Sequence, residues 1–317
     1  MGIYLKNSEI LFLYDAKLTN PNGDPDDENK PRMDYEKEIN LVSDVRLKRY
    51  IRDYLESQGY EIFVAKVDGE TVDATERLKK LFQKEGKNVN LNKMTKEDIN
   101  FLLSKLIDVR LFGATMPIKA GEEEKGASST FTGPIQFTWG YSLNKVELVT
   151  SSSITSTFAG RDEGGKGQYG TFGKDWRLYY SLIAFYGIIS GYRAKYTNLS
   201  EEDVKLLDKA LIEAIPQMAS TRSKIGQKPR FLLRIEYDRP YFLGDLRNKI
   251  KLNKDENLRD IQDFELDLSL LKDLLIQNLE KIEKIYIYED SELKIKDGKF
   301  SDQLKEKFKE NIVNLSI

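Results

Sequence analysis

The sequence predicts an α+β fold built on an antiparallel sheet, and three observations carry that prediction. Strand character is concentrated in three runs: residues 10–14, 177–189 and 230–237. Two amphipathic helix patterns, residues 40–57 and 200–216, alternate with those runs. With the inserted stretches set aside, the order is strand, helix, strand, then strand, helix, strand. That is the split β-α-β arrangement of ferredoxin-like and RNA-recognition domains. Such a sheet is expected to carry its helices on one face and leave the other face free.

Bulk composition sets limits before any motif does. The chain has 317 residues, 40% of them hydrophobic, with a net charge of −2. It is long enough for one large domain with insertions. There is no Cys, which excludes disulfides, thiolate nucleophiles and cysteine-ligated metals. There is also no His, which removes the commonest general base and the commonest transition-metal ligand. A binding or scaffold protein is therefore expected rather than an enzyme. No apolar run suits a bilayer and the first residues lack a signal-peptide core, so a cytoplasmic protein is expected.

In chain order, residues 8–17 read as a buried strand, followed by an irregular acidic loop at residues 20–32. Residues 40–57 read as a helix capped by Asn40, and residues 61–66 as a short strand. Residues 68–110 are charged and helical, with a capping box at Thr95 and Asp98 opening a helix that runs through Phe112. Strands are expected at residues 134–139 and 141–149. A Ser/Thr-rich and then glycine-rich stretch at residues 148–175 reads as a hairpin. Ser200 caps a helix that Pro216 ends. The remainder reads as a helix over residues 266–284, a hairpin over 286–295 and a last helix after Ser301.

Chemistry enters at three places. Gly165, Gly167 and Gly170 match the spacing of the dinucleotide fingerprint, but a strand rather than a helix follows them, so no nucleotide cofactor is expected. The acidic loop, with Asp24, Asp26, Asp27 and Glu28, has the residue type for a hard cation and metal-assisted phosphodiester cleavage. Acids in a Pro/Gly loop are more often simply solvated. Cations cluster at Arg46, Lys48, Arg49 and Arg52, and again at Arg222, Lys224, Lys228 and Arg230 with Gln227 beside them. Each cluster alone is an ordinary surface feature; together they suit the phosphates and sugars of a nucleic acid. Tyr169 and Phe172 in the hairpin suit stacking on bases, or packing on the hairpin itself.

Seven runs, in order, resemble one family: NPNGDP, INLVSDVRLKRYIRDYL, DVRLFGAT, FTGPIQFTWGYSLN, SITSTFA, GTFGKDWRLYYSLIAFYG and TRSKIGQKPRFLLRIEY. They look like the backbone subunit of the type I CRISPR Cascade complex, most of all its type I-B form. The resemblance implies a hand-shaped protein. Its RNA-recognition-like palm would span residues 1–59 and 131–245, its finger insertion residues 60–130, and its hairpin thumb residues 148–175. Residues 246–317 would be an extension packed on the palm. It also implies copies stacked along a CRISPR RNA with other Cascade subunits, pairing the guide with foreign DNA in antiviral defence, without catalysis. Ser43, Arg46, Lys48, Arg49, Arg52, Gly113, Thr115, Lys166, Lys174, Arg222, Lys224, Gln227, Lys228 and Arg230 would line the guide, and Phe158, Tyr169 and Phe172 would wedge at its bases. Family members often carry His where this chain has Trp176 and Tyr186. Related subunits of type III complexes cut RNA with a loop aspartate. Asp24 or Asp26 is where that alternative, a metal-dependent endoribonuclease, would appear.

Overall fold

A computed structural model describes residues 2–66, 69–118, 127–150, 152–159 and 170–316. The apolar run near the start forms β1 (Ser8–Thr19). The acidic loop is not wholly irregular: β2 (Gly23–Asp24) pairs with β3 (Lys30–Pro31). Two short strands follow, β4 (Met33–Asp34) and β5 (Ile39–Val42). Helix α1 (Asp44–Ser57) is capped by Ser43 rather than Asn40, because Asn40 is engaged in β5, where its N–H donates to Ser142 Oγ at 2.9 Å.

The insertion differs from expectation at two points. Residues 61–66 are not a strand; Glu61 makes one bridge, to Leu106. That bridge splits the helix expected from Thr95 to Phe112. After α2 (Ala74–Lys84), α3 (Lys96–Lys105) ends where Leu106 turns extended, and α4 (Ile107–Phe112) restarts behind it. The Thr95–Asp98 capping box is present. Strands β6 (Gly113–Ile118) and β7 (Ala127–Thr132) then pair antiparallel. A core of its own, including Phe63, Leu78, Phe82, Leu102, Val109 and Met116, holds this part together.

The rest builds the main sheet. Strands β8 (Ile135–Phe137) and β9 (Gly140–Ser142) are shorter than expected. The hairpin arms β10 (Ser153–Ala159) and β11 (Gly170–Lys174) pair antiparallel. Strand β12 (Leu178–Ile189), α5 (Gly191–Thr197) and α6 (Glu201–Met218) follow, and α6 runs past Pro216. Next come β13 (Gln227–Tyr237), β14 (Lys251–Leu252) and β15 (Leu266–Asp267). The helix expected over 266–284 is only α7 (Ser269–Gln277). The expected hairpin over 286–295 is instead a single strand, β16 (Ile282–Glu289), paired with β13 and with the parallel strand β17 (Ile312–Asn314) beyond α8 (Phe300–Phe308).

The sheet order is β17-β16-β13-β1-β12-β9-β5-β4, with β8 also on β12. One face packs α1 and α6 through Ile10, Phe12, Tyr14, Leu47, Ile51, Leu207 and Leu211. The other face is not free, contrary to expectation. Leu11, Leu13, Leu182, Phe231, Leu233 and Ile235 are covered by Leu246, Ile261, Phe264, Leu271, Leu275, Phe300 and Leu304. The reason is that the segment from Leu246 onward supplies a second layer there, and β13 is buried on its α6 side as well. Arg234 and Glu236, polar in the sequence, are 1% and 4% exposed. Asp208 of α6 takes Arg234 in a bidentate pair at 2.7–3.0 Å, and Glu236 accepts from Tyr4 and Lys6 at 2.8 and 3.0 Å. Paired inside, these charges do not mark a solvent face.

Candidate nucleic-acid interface

Helix α1 carries four of the expected cations, and three of them are engaged within the protein. Lys48 is buried; its Nζ donates to Asp44 at 3.0 Å and Gln136 at 3.3 Å. Arg49 pairs with Asp53 at 2.6 Å and donates to the Val64 carbonyl at 2.6 Å. Arg52 donates to buried Asp108 at 2.9 Å, and that carboxylate also accepts from the Phe63 and Val64 amides. Arg52 and Asp108 thus tie the insertion to α1. Arg46 differs. Its guanidinium lies 4.0 Å over the Tyr50 ring and has no acidic partner among the described residues.

A second such cation stands beside it. Lys224 donates to the Asn20 carbonyl and has no acidic partner among the described residues. Burial pushes its amine down to about 8, and the charge of Arg46 pushes it the same way. Gln227 joins the pair, donating to Tyr50 Oη at 3.2 Å and to the Lys224 carbonyl at 2.9 Å. The loop holding Lys224 is pinned to the end of β1: Asn20 N–H donates to Ser223 O at 2.9 Å, and Lys17 N–H to Gly226 O at 2.9 Å. Gly226 has φ +107, and a Cβ there would come 2.7 Å from Lys17 O, so a side chain would break this contact.

The helix N-terminus lies in the same region. Ser43 caps α1 by accepting the Arg46 amide at 3.4 Å. Asn22 fixes Ser43 in turn, accepting from its N–H and its hydroxyl at 2.9 Å each. The NPNGDP run is therefore a brace for α1. Its Asp24 is already engaged by Arg32 at 3.1 Å and by the Asp26 amide at 3.2 Å. Among the described residues no three His, Cys, Asp or Glu side chains converge on a metal-sized site.

The base of the hairpin adds a cleft. Lys174, exposed, pairs with Glu28 at 2.6 Å. Lys30 and Lys174 lie 5.0 and 5.7 Å from the Trp176 ring centre. Asp175 holds Arg177 at 2.9 Å and lies 3.8 Å from exposed Arg222. Lys228 and Arg230 are elsewhere. Arg230 is buried among Asp15 at 2.9 Å, Asp290 at 2.5 Å and Glu292 at 2.6 Å, and Lys228 pairs with Asp290 and Glu292 at 2.8 Å each. Thr115 is exposed on β6. Gly113 follows Phe112, whose ring lies 5.2 Å from Arg52. Lys166 and Tyr169 lie outside the described residues, as do the side chains of Phe158 and Phe172.

The structure thus brings together Ser43, Arg46, Lys224 and Gln227, with Lys174 and Arg222 at a neighbouring cleft. Sequence reasoning missed Asn20, Asn22 and Tyr50. Two Asn flanking a Pro directly after a strong strand were the available signal, since Asn side chains bond to nearby backbone in such turns.

These features define an α+β protein that presents unneutralised cations and helix-end donors, suited to an extended polyanion. The model of the family "CRISPR-associated protein Cas7" matches residues 6–269. A curated CRISPR-associated protein Cas7 from Haloferax volcanii is 32% identical over 311 residues, covering 93% of this chain and 90% of that protein. The chain belongs to the Cas7 family of CRISPR-associated proteins. Two solved chains, from a "CRISPR RNA-guided surveillance complex, pre-nicking" and a "CRISPR RNA-guided surveillance complex", are each 14% identical. They cover 92% of this chain and 96% and 95% of their own, at TM-scores of 0.44 and 0.46.

Proposed function

We propose that this protein binds the phosphate–sugar backbone of a CRISPR RNA and stacks along it as a non-catalytic backbone subunit of a cytoplasmic, type I-B surveillance complex. Family membership supports the reading. So does the sheet order β13-β1-β12-β9 with α1 and α6 on one face, which suits an RNA-recognition-like palm. In this reading the β6–β7 region belongs to the fingers and β10–β11 to the thumb. Both sheet faces are covered, so RNA does not stack on the sheet; it runs past the N-terminal end of α1.

The observation that carries the reading is the pairing of Arg46 with Lys224. Two neighbouring cations without an acid repel each other, and phosphate relieves that cost. Ser43, Gln227, Arg222, Lys174, Gly113 and Thr115 extend the same track. A subunit that holds phosphate and sugar accepts any guide sequence. Asp24, taken up by Arg32, gives the ribonuclease alternative no support.

Filter binding of single-stranded RNA tests this. Arg46→Ala and Lys224→Ala should each weaken binding about ten- to a hundredfold, the range of a charge-assisted hydrogen bond. Each should also flatten the dependence of log K on log salt by about one phosphate contact. Unchanged affinity and slope in the double variant would sink the proposal.

A further inference from the structure

We propose that the outer face of α5 is a second binding surface for single-stranded nucleic acid, separate from the Arg46–Lys224 track. The proposal goes beyond the function proposed above, which uses the opposite end of the sheet. The sequence isolates this stretch first: no acid occurs between Asp175 and Glu201, and the run YRAKY sits inside that gap. In the structure the run lies on α5, whose inner face is tied down. Ser190 Oγ accepts from the Arg193 amide at 3.4 Å, and Ser190 N–H donates to Pro134 O at 2.9 Å. Ala194 and Thr197 are buried, and Thr197 Oγ1 donates to the Arg110 carbonyl at 2.9 Å.

The other four side chains of the run are open to solvent. Tyr192 and Tyr196 are 66% and 59% exposed, and Arg193 and Lys195 are exposed beside them. Successive residues of a helix advance by about 100°. The two tyrosines therefore share the middle of the outer arc, with Arg193 on one flank and Lys195 on the other. The tyrosine rings meet edge-on with centroids 5.6 Å apart, and Tyr196 Oη donates to Tyr192 Oη at 3.1 Å. That contact holds the aromatic pair as one unit. Neither Arg193 nor Lys195 has an acidic partner among the described residues, unlike Arg49, Arg52 and Arg230.

Charge selects the occupant. Exposed rings with a free cation on each flank match a strand whose bases stack on the rings while its phosphates meet the charges. An apolar protein partner would have to desolvate both cations without neutralising them, which is costly. A polyanion neutralises both. The place of α5 in the fold separates this face from the first track. The helix starts two residues past Ile189, which pairs with Ser8 at the beginning of β1. Lys224 contacts Asn20, just beyond the other end of β1. The 12 residues of that strand set the two surfaces roughly 35 Å apart. A strand of a few nucleotides cannot occupy both.

The test irradiates the full chain with a single-stranded oligonucleotide of about four nucleotides, the smallest such site, carrying 5-iodouracil, and maps the adducts by mass spectrometry. The wild type should show adducts on Tyr192 or Tyr196, and these should persist when Arg46→Ala and Lys224→Ala are combined. Adducts elsewhere but none on α5 would overturn the proposal, and this arm needs no variant. Loss of the α5 adducts in the combined Arg46 and Lys224 variant would make α5 an extension of the first track and also overturn it. Two further variants act on exposed side chains and keep good helix formers: Tyr192→Leu with Tyr196→Leu, and Arg193→Gln with Lys195→Gln. Each pair should weaken binding of the short strand about tenfold, the scale of one stacked base. The Arg193 and Lys195 pair should also flatten the dependence of log K on log salt by about two phosphate contacts. Unchanged strand binding with altered sedimentation in the tyrosine pair would assign the face to a protein contact and overturn the proposal. The proposed function is read by the Arg46 and Lys224 variants alone, so either reading can fail without the other.

Discussion

Lys224 makes the protonation chemistry of the interface measurable. In the folded protein its amine titrates near 8, against about 10.4 for an unperturbed lysine. Between those two values the unfolded chain binds more protons than the folded one, so this group makes folding more favourable as pH rises through that window. RNA binding has the opposite sign. Phosphate favours the ammonium, so affinity should be full below pH 8 and fall as pH rises from 8 to 10. The group's neighbours are the Arg46 guanidinium and the Asn20 carbonyl, and neither titrates in that range. Lys224→Arg, which stays charged, should bind with a flat profile over the same range. A wild-type profile that is equally flat would show that Lys224 does not meet the strand. None of this was legible beforehand. A run reading TRSKIGQKPR shows five polar or basic candidates alike, and only the fold separates Lys224 from Arg230, which Asp15, Asp290 and Glu292 neutralise.

At the level of elements, the join between α4 and β6 depends on one glycine. Gly113 has φ +74, and a Cβ on it would sit 2.1 Å from Phe131 O and 2.3 Å from Gly133 N. Gly113→Ala therefore meets both a strained backbone and a backbone clash, and neither neighbour can rotate away. Thermal unfolding should show a loss of more than about 1 kcal/mol, with the β6–β7 pairing the first to open in hydrogen exchange. A melting temperature equal to wild type would refute this. The sequence marked this glycine as a helix stop, and the helix does stop there. It did not mark the break at Leu106, because that break comes from a bridge to Glu61, a residue outside the helix pattern. Asn40 misled for a similar reason: its cap chemistry was real, but Ser142 and β5 had a prior claim on its backbone.

For the whole molecule, residues 246–317 are a layer of the core. They cover Leu11, Leu13, Phe231, Leu233 and Ile235. A chain truncated after Asp245 exposes that entire face and should be insoluble or bind hydrophobic dyes, while Leu233→Ala in the full chain should cost about 2–5 kcal/mol. A soluble, cooperatively melting truncation would refute this. The free second face was the largest error of expectation, and its cause is specific. The run RFLLRIEY alternates like a half-exposed strand, yet its polar Arg234 and Glu236 lie on the α6 side, buried against Asp208, Tyr4 and Lys6, while its apolar Phe231, Leu233 and Ile235 face the layer that begins at Leu246. Alternation in a single sequence reports polarity, not solvent. The three long strands β1, β12 and β13 and the two flanking helices were legible because each rests on local periodicity.

The margins of the sheet are short strands, β17 at one end with three residues and β4 at the other with two. Little unpaired backbone is left there for another chain to extend. A protein proposed to line up in many copies on one strand is thereby guarded against zippering into amyloid-like ribbons. In that proposal, self-association is left to side-chain contacts organised by the bound strand.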